Sequence, residues 1–420
     1  MTSRKILGAM TVLLASSALA LPLADFKLVL EGVDNEGLGT SLAYTADLDR
    51  DGVPDLVVGA QTGREVRVFS GVSGRPIWSA NYTVNHVVTQ GFGASLDCLG
   101  DCDQDGVQDV LEGQPSYRRV SLLSGVSGKE LWATVGPAQG AIDFGRSVAG
   151  VGDLDGDGCP DVLVGAPGSN RAFLYSGRTG AWLRTYEGEQ SGAAFGKRVA
   201  GVGDLDGDGH EEIAVAAPYY NKPGVGSSVG KIYVYSGKGG DLLFAMEGES
   251  SQQEFGVPAR AGDCDGDGFD DLLVGSEAYR GPISGHQGKV YLYSGLTGRL
   301  IWSKVGESAL VSLGASVAGV GDWDGDGLAD VAVGEPGYRT TPNGIAEGRV
   351  RIFSGQSGKV LDTVVGAPYE QLGCSVSGRA PQLAIGSVGT DRYGYGRVRA
   401  RLGSPVLEKD TGSPVSLRGK

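Results

Sequence analysis

The chemically most distinctive feature of this chain is an acidic nonapeptide, Asp-x-Asp-x-Asp-Gly-x-x-Asp/Glu, which occurs six times. In the third copy, Asp153 to Asp161, carboxylates stand at positions 1, 3, 5 and 9 and a glycine at position 6. Calcium takes about 6 to 8 oxygen ligands from carboxylates, backbone carbonyls and water, and glycine permits the sharp bend that such a loop needs. The pattern therefore predicts a calcium-binding loop, in which the carbonyl at position 7 adds a further ligand.

The predicted ligands are the same five positions in every copy. They are Asp47, Asp49, Asp51, Val53 and Asp55; Asp101, Asp103, Asp105, Val107 and Asp109; Asp153, Asp155, Asp157, Cys159 and Asp161; Asp204, Asp206, Asp208, His210 and Glu212; Asp263, Asp265, Asp267, Phe269 and Asp271; and Asp322, Asp324, Asp326, Leu328 and Asp330. Magnesium demands stricter octahedral geometry and zinc prefers His or Cys, so both fit less well. A metal-free Asp-Gly turn is the alternative, but four carboxylates in nine residues would repel one another without a cation.

The negative net charge of the chain is consistent with the binding of cations. Four carboxylates in each of the six loops account for 24 of the 50 acidic residues, and six Ca²⁺ would change the formal net charge from −14 to −2. The acidic balance is therefore explained without a basic partner. It also argues against nucleic-acid binding, for which the sequence has no basic stripe.

The segments around the loops have the pattern of β-strands. Each loop except the second runs into a short, mostly β-branched segment closed by Gly or Ala, at residues 55–59, 161–165, 212–216, 271–275 and 330–334. These flanks exclude an EF-hand, which has helices on both sides and a Glu at loop position 12. The unit from 144 to 188 contains four such segments, with a Ser-Gly-x-x-Gly turn between the third and the fourth. Four-stranded units that recur every 51 to 59 residues are typical of propeller blades.

Two further motifs resemble those of a known family. Phe-Gly precedes the first strand of several units, and Gly-Ala-Pro follows a second strand at residues 165–167. The Phe-Gly pairs begin at Phe92, Phe144, Phe195 and Phe255. This combination is similar to the FG-GAP repeats of the integrin α-subunit propeller and its secreted bacterial relatives. The resemblance implies an all-β, seven-bladed β-propeller of four-stranded antiparallel blades, with calcium in the turn between the first two strands of a blade.

The repeats divide residues 25–420, a single propeller domain, into seven predicted blades. The blades lie at about 38–84, 92–137, 144–189, 195–249, 255–307, 313–366 and 372–402. The seventh unit lacks the acidic loop and is predicted to bind no calcium. Residues 26–32 match the fourth strand at 242–248, which favours closure of the ring by the N-terminal strand and removes open sheet edges. Residues 413–419 offer a competing closing strand.

Residues 1–24 have the pattern of a signal peptide. Arg4 and Lys5 precede an apolar run that ends near a small-residue cleavage site at Ala18-Leu19-Ala20. An uncleaved anchor is the alternative, although no second charged flank follows the run. We therefore expect an exported protein (extracellular, cell-surface or periplasmic) that is a monomer with no transmembrane segment in the mature chain.

The five cysteines predict no disulfide framework. Cys102 and Cys264 occupy loop position 2, where the other copies have Leu or Trp, so we expect them to be small buried hydrophobic residues. Cys98 lies four residues before Cys102 and offers a local bridge, which the odd number of cysteines does not favour.

Long connections on one face of the propeller are the candidate recognition surface. Antiparallel blades place the acidic loops and the Ser-Gly turns on one face and the other connections opposite. Three neighbouring connections on that second face, 218–229, 277–287 and 336–347, are long and contain Tyr and Arg, which recognition surfaces favour. The candidate ligand residues are Tyr219, Tyr220, Tyr279, Arg280, His286, Tyr338 and Arg339. Loop variation without function is the alternative, but in integrin relatives this face meets ligand and partner subunit.

The sequence therefore predicts an exported, calcium-binding propeller that acts as a protein- or glycan-binding adhesion module and is not an enzyme. It has no Gly-x-Ser-x-Gly nucleophile elbow and no His-Glu-x-x-His zinc motif. The rival hypothesis is a secreted polysaccharide-degrading lyase or hydrolase that uses Tyr, Arg or His of the long connections.

Overall fold

The computed structural model describes residues 28–31, 38–60, 64–84, 87–88, 91–137, 141–283, 285–341, 344–379, 382–387 and 396–401. The predicted signal peptide and the competing closing strand at 413–419 lie outside these residues. In the part of the chain that is described, no helix has the length and hydrophobicity needed to cross a membrane.

The described chain consists of short strands, because β-branched and aromatic runs alternate with turns rich in Gly, Ser and Asp. In chain order the strands are β1 (Leu28–Glu31), β2 (Leu38–Tyr44), β3 (Leu56–Ala60), β4 (Glu65–Phe69), β5 (Pro76–Ala80), β6 (Thr83–Val84), β7 (Val87–Val88), β8 (Ser95–Cys98), β9 (Val110–Gln114), β10 (Arg119–Leu123), β11 (Glu130–Val135), β12 (Ser147–Gly150), β13 (Val162–Ala166), β14 (Arg171–Tyr175), β15 (Trp182–Glu187), β16 (Arg198–Gly203), β17 (Glu212–Ala217), β18 (Lys231–Tyr235), β19 (Leu242–Glu247), β20 (Val257–Gly262), β21 (Asp271–Ser276), β22 (Lys289–Tyr293), β23 (Leu300–Val305), β24 (Val317–Gly321), β25 (Asp330–Glu335), β26 (Arg349–Phe353), β27 (Val360–Val365), β28 (Ser375–Arg379), β29 (Gln382–Ser387) and β30 (Arg397–Arg401). Single 3₁₀ turns, Pro115–Tyr117 and Pro167–Ser169, connect the second and third strands of two sheets.

These strands form seven four-stranded antiparallel sheets, and the remaining pair, β6 and β7, forms a small hairpin. We number the sheets as blades 1 to 7 by their first strands, which are β2, β8, β12, β16, β20, β24 and β28. The first strands of successive blades contact one another, and β28 returns to β2, so they form an inner ring. The predicted seven-bladed, all-β propeller is confirmed.

Blade 7 joins the two ends of the described chain. Its strand order is β28-β29-β30-β1, and the antiparallel register places Leu28 opposite Ala400 and Leu30 opposite Val398. Leu28 and Leu30 are buried in the cluster between blades 7 and 1. The N-terminal strand is therefore the fourth strand of blade 7, and its leucines pack this blade against blade 1.

The hydrophobic core is divided among seven clusters, one in each gap between neighbouring blades. The Phe of a Phe-Gly motif fills such a gap: the fully buried Phe144 meets Phe173 and Tyr175 edge-on, with ring centroids 5.6 and 5.8 Å away. Aromatic residues at the ends of third strands, such as Tyr175, belong to the core. Burial of this apolar surface stabilises the packing of each blade against the next.

Glycines in the second strands let adjacent blades approach closely. A Cβ atom on Gly165 of blade 3 would lie 1.9 Å from the carbonyl oxygen of Gly196, which belongs to the Phe-Gly motif of blade 4. No other residue fits there without a shift of the backbone. The same close contact joins Gly275 to Gly314, so it sets the spacing between neighbouring blades near the start of their first strands.

Candidate metal centres

Each acidic loop connects the first and second strands of a blade, and its carboxylates converge. Carboxylate oxygens of positions 1, 3 and 9 lie within 4.8 Å of one another in groups that could hold a metal ion. Five of these groups are Asp47, Asp49 and Asp55; Asp101, Asp103 and Asp109; Asp153, Asp155 and Asp161; Asp204, Asp206 and Glu212; and Asp263, Asp265 and Asp271. A sixth group of this kind is present among the described residues.

Backbone N–H groups orient the carboxylates of the exposed part of the loop. In the third loop, Asp153 Oδ1 accepts hydrogen bonds from the backbone N of Gly156 (2.7 Å) and Asp157 (3.0 Å), and Asp153 Oδ2 accepts one from Gly158 (2.8 Å). Gly158, at loop position 6, has a φ of +86°, a conformation that glycine adopts without strain. Asp155 Oδ1 accepts from the N of Asp157 at 3.0 Å. The peptide itself thus holds the carboxylates in a fixed arrangement.

The carboxylate at position 9 is the buried base of each group. Asp161 accepts the N–H of Leu154 at 3.0 Å on Oδ2 and the N–H of Gly177 at 3.1 Å on Oδ1. Burial raises the pKa of these carboxyls, against the effect of the backbone hydrogen bonds. The pKa rises to about 6 for Asp55, Asp109 and Asp271 and to about 7 for Asp161 and Glu212. A bound cation would favour their charged form.

The Ser-Gly turn between the third and fourth strands completes the site, a role that the sequence reasoning missed. Gly177, which holds Asp161, belongs to this turn, and the hydroxyl of Ser176 donates to Asp157 Oδ2 at 2.9 Å. Position 5 is therefore held by the turn and is not part of the close group of positions 1, 3 and 9. The sequence signal for this role is the Ser-Gly turn that follows every acidic loop. The contacts place both elements on one face, which we call the acidic-loop face. The ligand role of the position-7 carbonyls stays a prediction.

Glu212 provides a test of whether the residues fit a cation. It is the only Glu at position 9, and its Oε2 accepts the N–H of Leu205 at 2.6 Å. Its Oε1 is buried and has no hydrogen-bond partner among the described residues. Leaving a buried carboxylate oxygen unsatisfied is costly, and a hard cation held by Asp204, Asp206 and Glu212 would satisfy it. The donor set therefore fits calcium.

The prediction for Cys102 is wrong, because this residue forms a disulfide with Cys159. The Cα atoms are 5.2 Å apart although 57 residues separate the two cysteines in the sequence. Cys102 is at position 2 of the second loop and Cys159 at position 7 of the third, and only the propeller brings these positions together. Cys98 and Cys264 are free thiols, and Cys264 is buried as expected.

The candidate ligand residues lie on the opposite, long-loop face. Tyr219 and Arg280 are exposed there, and the other five are partly buried: Tyr220, Tyr279, His286, Tyr338 and Arg339. Arg280 contacts His286, with Nη2 3.4 Å from Nε2. The structure thus brings these side chains to one face of the propeller.

Three of these tyrosines belong to a repeated contact between blades. Arg349, the first residue of β26, lies over the ring of Tyr338, with 4.0 Å from Cζ to the centroid, and pairs with Glu307 from the preceding blade. Lys231 and Lys289 stack in the same way on Tyr220 and Tyr279 and pair with Glu189 and Glu249. The cations attract the tyrosine rings, so these tyrosines help to join neighbouring blades.

Models of two repeat families match the chain. The FG-GAP-like repeat matches residues 153–215 and 204–274, and the FG-GAP repeat matches residues 258–293 and 313–353. Among curated proteins, integrin alpha-5 of Xenopus laevis is 31% identical over 217 residues and integrin alpha-V of Gallus gallus is 32% identical over 205 residues. These matches cover 44% and 42% of this chain but only 20% and 19% of the relatives, so the chain spans about a fifth of their length.

Solved structures with the same fold have little sequence in common with this chain. The structures of BBS1N in complex with ARL6DN, soaked with lead or with mercury, superpose with TM-scores of 0.54 and 0.51 at 13% and 14% identity. They cover 88% and 89% of this chain and 93% and 96% of the matched chains, which confirms the fold alone.

Fold and site together define a β-propeller with an acidic, metal-suited loop in six of its seven blades. The chain carries FG-GAP repeats at residues 153–293 and 313–353, and it is similar to integrin alpha subunits over about two fifths of its length.

Proposed function

We propose that this chain is an exported ligand-binding module for adhesion, stabilised by up to six Ca²⁺ and without enzymatic activity. The observation that supports the proposal most strongly is the difference between the two faces of the propeller. The acidic-loop face repeats one carboxylate arrangement in six blades, whereas the long-loop face differs from blade to blade. A repeated site suits a structural ion, and a varied face suits recognition of a particular partner.

Calcium would act as an internal clamp in this proposal. Each ion would be held by positions 1, 3 and 9, while the Ser-Gly turn fixes the loop against the outer strands. With a dissociation constant near 10⁻⁴ M and millimolar free calcium, mass action gives about 1.4 kcal/mol per site, or roughly 8 kcal/mol for six sites. That amount is comparable to the whole stability of many domains.

The proposal is tested by thermal unfolding of the mature chain in EDTA, in calcium and in magnesium. We expect EDTA to lower the unfolding temperature sharply, calcium to restore it and magnesium to restore less of it. An unchanged unfolding temperature in EDTA would rule out the structural role of calcium.

The partner is proposed to be an extracellular protein or a glycan bound by the long-loop face. The integrin-like repeats support this class of function, and the exposed Tyr219 and Arg280 suit a contact surface. Binding of the calcium-loaded chain to a glycan array and to immobilised extracellular proteins tests it. A turnover assay on every positive glycan decides against the enzyme hypothesis if no product forms, and product formation overturns the binding-only proposal.

A further inference from the structure

A small cavity opens at the centre of the long-loop face. Its volume is about 290 Å³, and it is lined by the N-terminal ends of first strands, including Thr40, Ser95, Arg198 and Ser375. First strands begin on the long-loop face, because each strand from blade 1 to blade 6 runs toward its acidic loop. The cavity is therefore the mouth of the channel inside the ring, on the face that we assign to recognition.

Arg198 is the one charged residue among the described residues that line this cavity. Its side chain is accessible from the cavity, and its guanidinium forms no hydrogen bond or ion pair with another described residue. Arg146, from the neighbouring blade, lies close enough to repel Arg198 electrostatically. Glu277 is the acidic residue that attracts Arg198 electrostatically. Although the side chain is open to the cavity, the surrounding protein desolvates its guanidinium, which lowers the pKa of Arg198, and the like charge of Arg146 acts in the same direction. An arginine that lacks an ion-pair partner is unexpected in a chain of net charge −14.

The hydroxyl groups around Arg198 are already used by the fold. Ser41, Ser316 and Ser375 donate to the backbone carbonyls of Gly93, Gly373 and Gly39, each on a neighbouring blade, at 2.6, 2.8 and 2.8 Å. These bonds hold the inner ring together. They leave the guanidinium as the charged donor that is available to a ligand.

The remaining walls of the cavity are aliphatic. Leu42, Leu96, Val199, Val257 and Val317 contribute to them, and no aromatic residue is among the described lining residues. A guanidinium binds a carboxylate through two parallel hydrogen bonds, and aliphatic walls suit the methylene groups behind it. The volume is at the lower limit for ligand pockets, which fits one side chain better than a sugar ring.

We propose that Arg198 is an anion-recognition residue, which binds the carboxylate of a Glu or Asp side chain presented by a protein ligand at the mouth of the channel. Arg146 adds positive potential and steers the acidic group toward it. The inference rests on the proposed binding function and identifies the chemistry of the partner. It selects a protein ligand over a glycan.

The test uses the calcium-loaded mature chain and a short acetylated peptide that contains three glutamates. Calorimetry should detect binding of this peptide and none of the matched glutamine peptide. Arg198→Gln should weaken the binding about tenfold or more, because it removes a charge-assisted pair. Arg118→Gln removes an equal charge from a partly exposed position of blade 2 on the same face, outside the cavity lining, and should leave the affinity within about twofold.

Absence of binding to the glutamate peptide, or equal affinities of Arg198→Gln and the parent chain, would overturn the inference. Tighter binding of an oligoglucuronate than of the peptide would also overturn it, in favour of a glycan. Calcium titration and thermal unfolding of Arg198→Gln should match the parent chain, and a loss of folding would show in both. Retention of a partner from the binding screen by Arg198→Gln would leave the proposed function standing and reject the inference alone.

Discussion

Cys102 and Cys159 covalently join the acidic loops of two neighbouring blades. Elsewhere in the ring the equivalent positions contact each other without a covalent bond: Leu48 and Val107 pack in the cluster between blades 1 and 2. The disulfide therefore replaces an apolar contact between blades, at a place where two candidate metal loops meet.

Removal of this disulfide by Cys102→Ala with Cys159→Ala should lower the free energy of unfolding by about 2–4 kcal/mol, because the bridge restricts the unfolded chain over a long loop. Urea unfolding in calcium measures the change. Cys98→Ala, which removes a free thiol, is the control and should have a smaller effect. Peptide mapping that links Cys102 to Cys98 would contradict the structure.

Position 9 of an acidic loop should matter more for calcium than position 5. Asp161 is buried and belongs to the close carboxylate group, whereas Asp157 is held by Ser176 outside it. We expect Asp161→Asn to remove one calcium from the stoichiometry, because it takes away charge at the base of the site. Asp157→Asn should keep the stoichiometry with weaker affinity. Calcium titration calorimetry checks both variants, and the reverse order would refute this assignment.

Glu112 should make stability depend on pH. It is fully buried in blade 2, and burial raises its pKa from 4.5 to about 7, against the hydrogen bonds from Ser121 and Gly93 and the charge of Arg119. A carboxyl whose pKa is raised in the folded state contributes stability at low pH, and this contribution is lost as the pH rises through about 7. Glu112→Gln mimics the protonated form, so it should stabilise the protein relative to the parent chain at pH 8 by up to about 3 kcal/mol and have little effect at pH 4.

Chemical unfolding at both pH values in calcium measures this difference. Glu130→Gln is the matched control, since Glu130 pairs with the same Arg119 but is 45% exposed. Its effect should be small at either pH. A Glu112→Gln effect that does not change with pH would disprove the prediction.

The ion pairs on the long-loop face should differ in strength. Arg349 pairs with Glu335, which is fully buried, whereas Lys231 pairs with Glu189, which is 51% exposed. Arg349→Met should cost roughly 3 kcal/mol, at the lower end for a broken buried pair because Arg351 still contacts Glu335. Lys231→Met should cost under about 1 kcal/mol, because water replaces the lost partner. Equal losses in urea unfolding would contradict the role of burial.

Much of the fold followed from local pattern alone. Acidic loops, β-branched runs and Ser-Gly turns recur at a regular spacing, and each is specified by neighbouring residues, so blade number, strand order and the positions of the carboxylates could be read without coordinates. The match of residues 26–32 to the strand at 242–248 favoured the N-terminal segment as closing strand, and β1 pairs with β30 in the structure. Local sequence suffices there because turn geometry and side-chain alternation act over a few residues.

The relationships across blades could not be read in this way. The Cys102–Cys159 disulfide, the salt bridge from Arg349 to Glu307 and the unpaired Arg198 depend on which residues the ring places side by side. Residues about 40 to 60 positions apart meet only when the first strands close around the axis. Local sequence specifies the repeated unit and its clustered carboxylates, whereas the folded ring sets which groups pair between units, because burial and proximity across a gap arise only when the ring is closed.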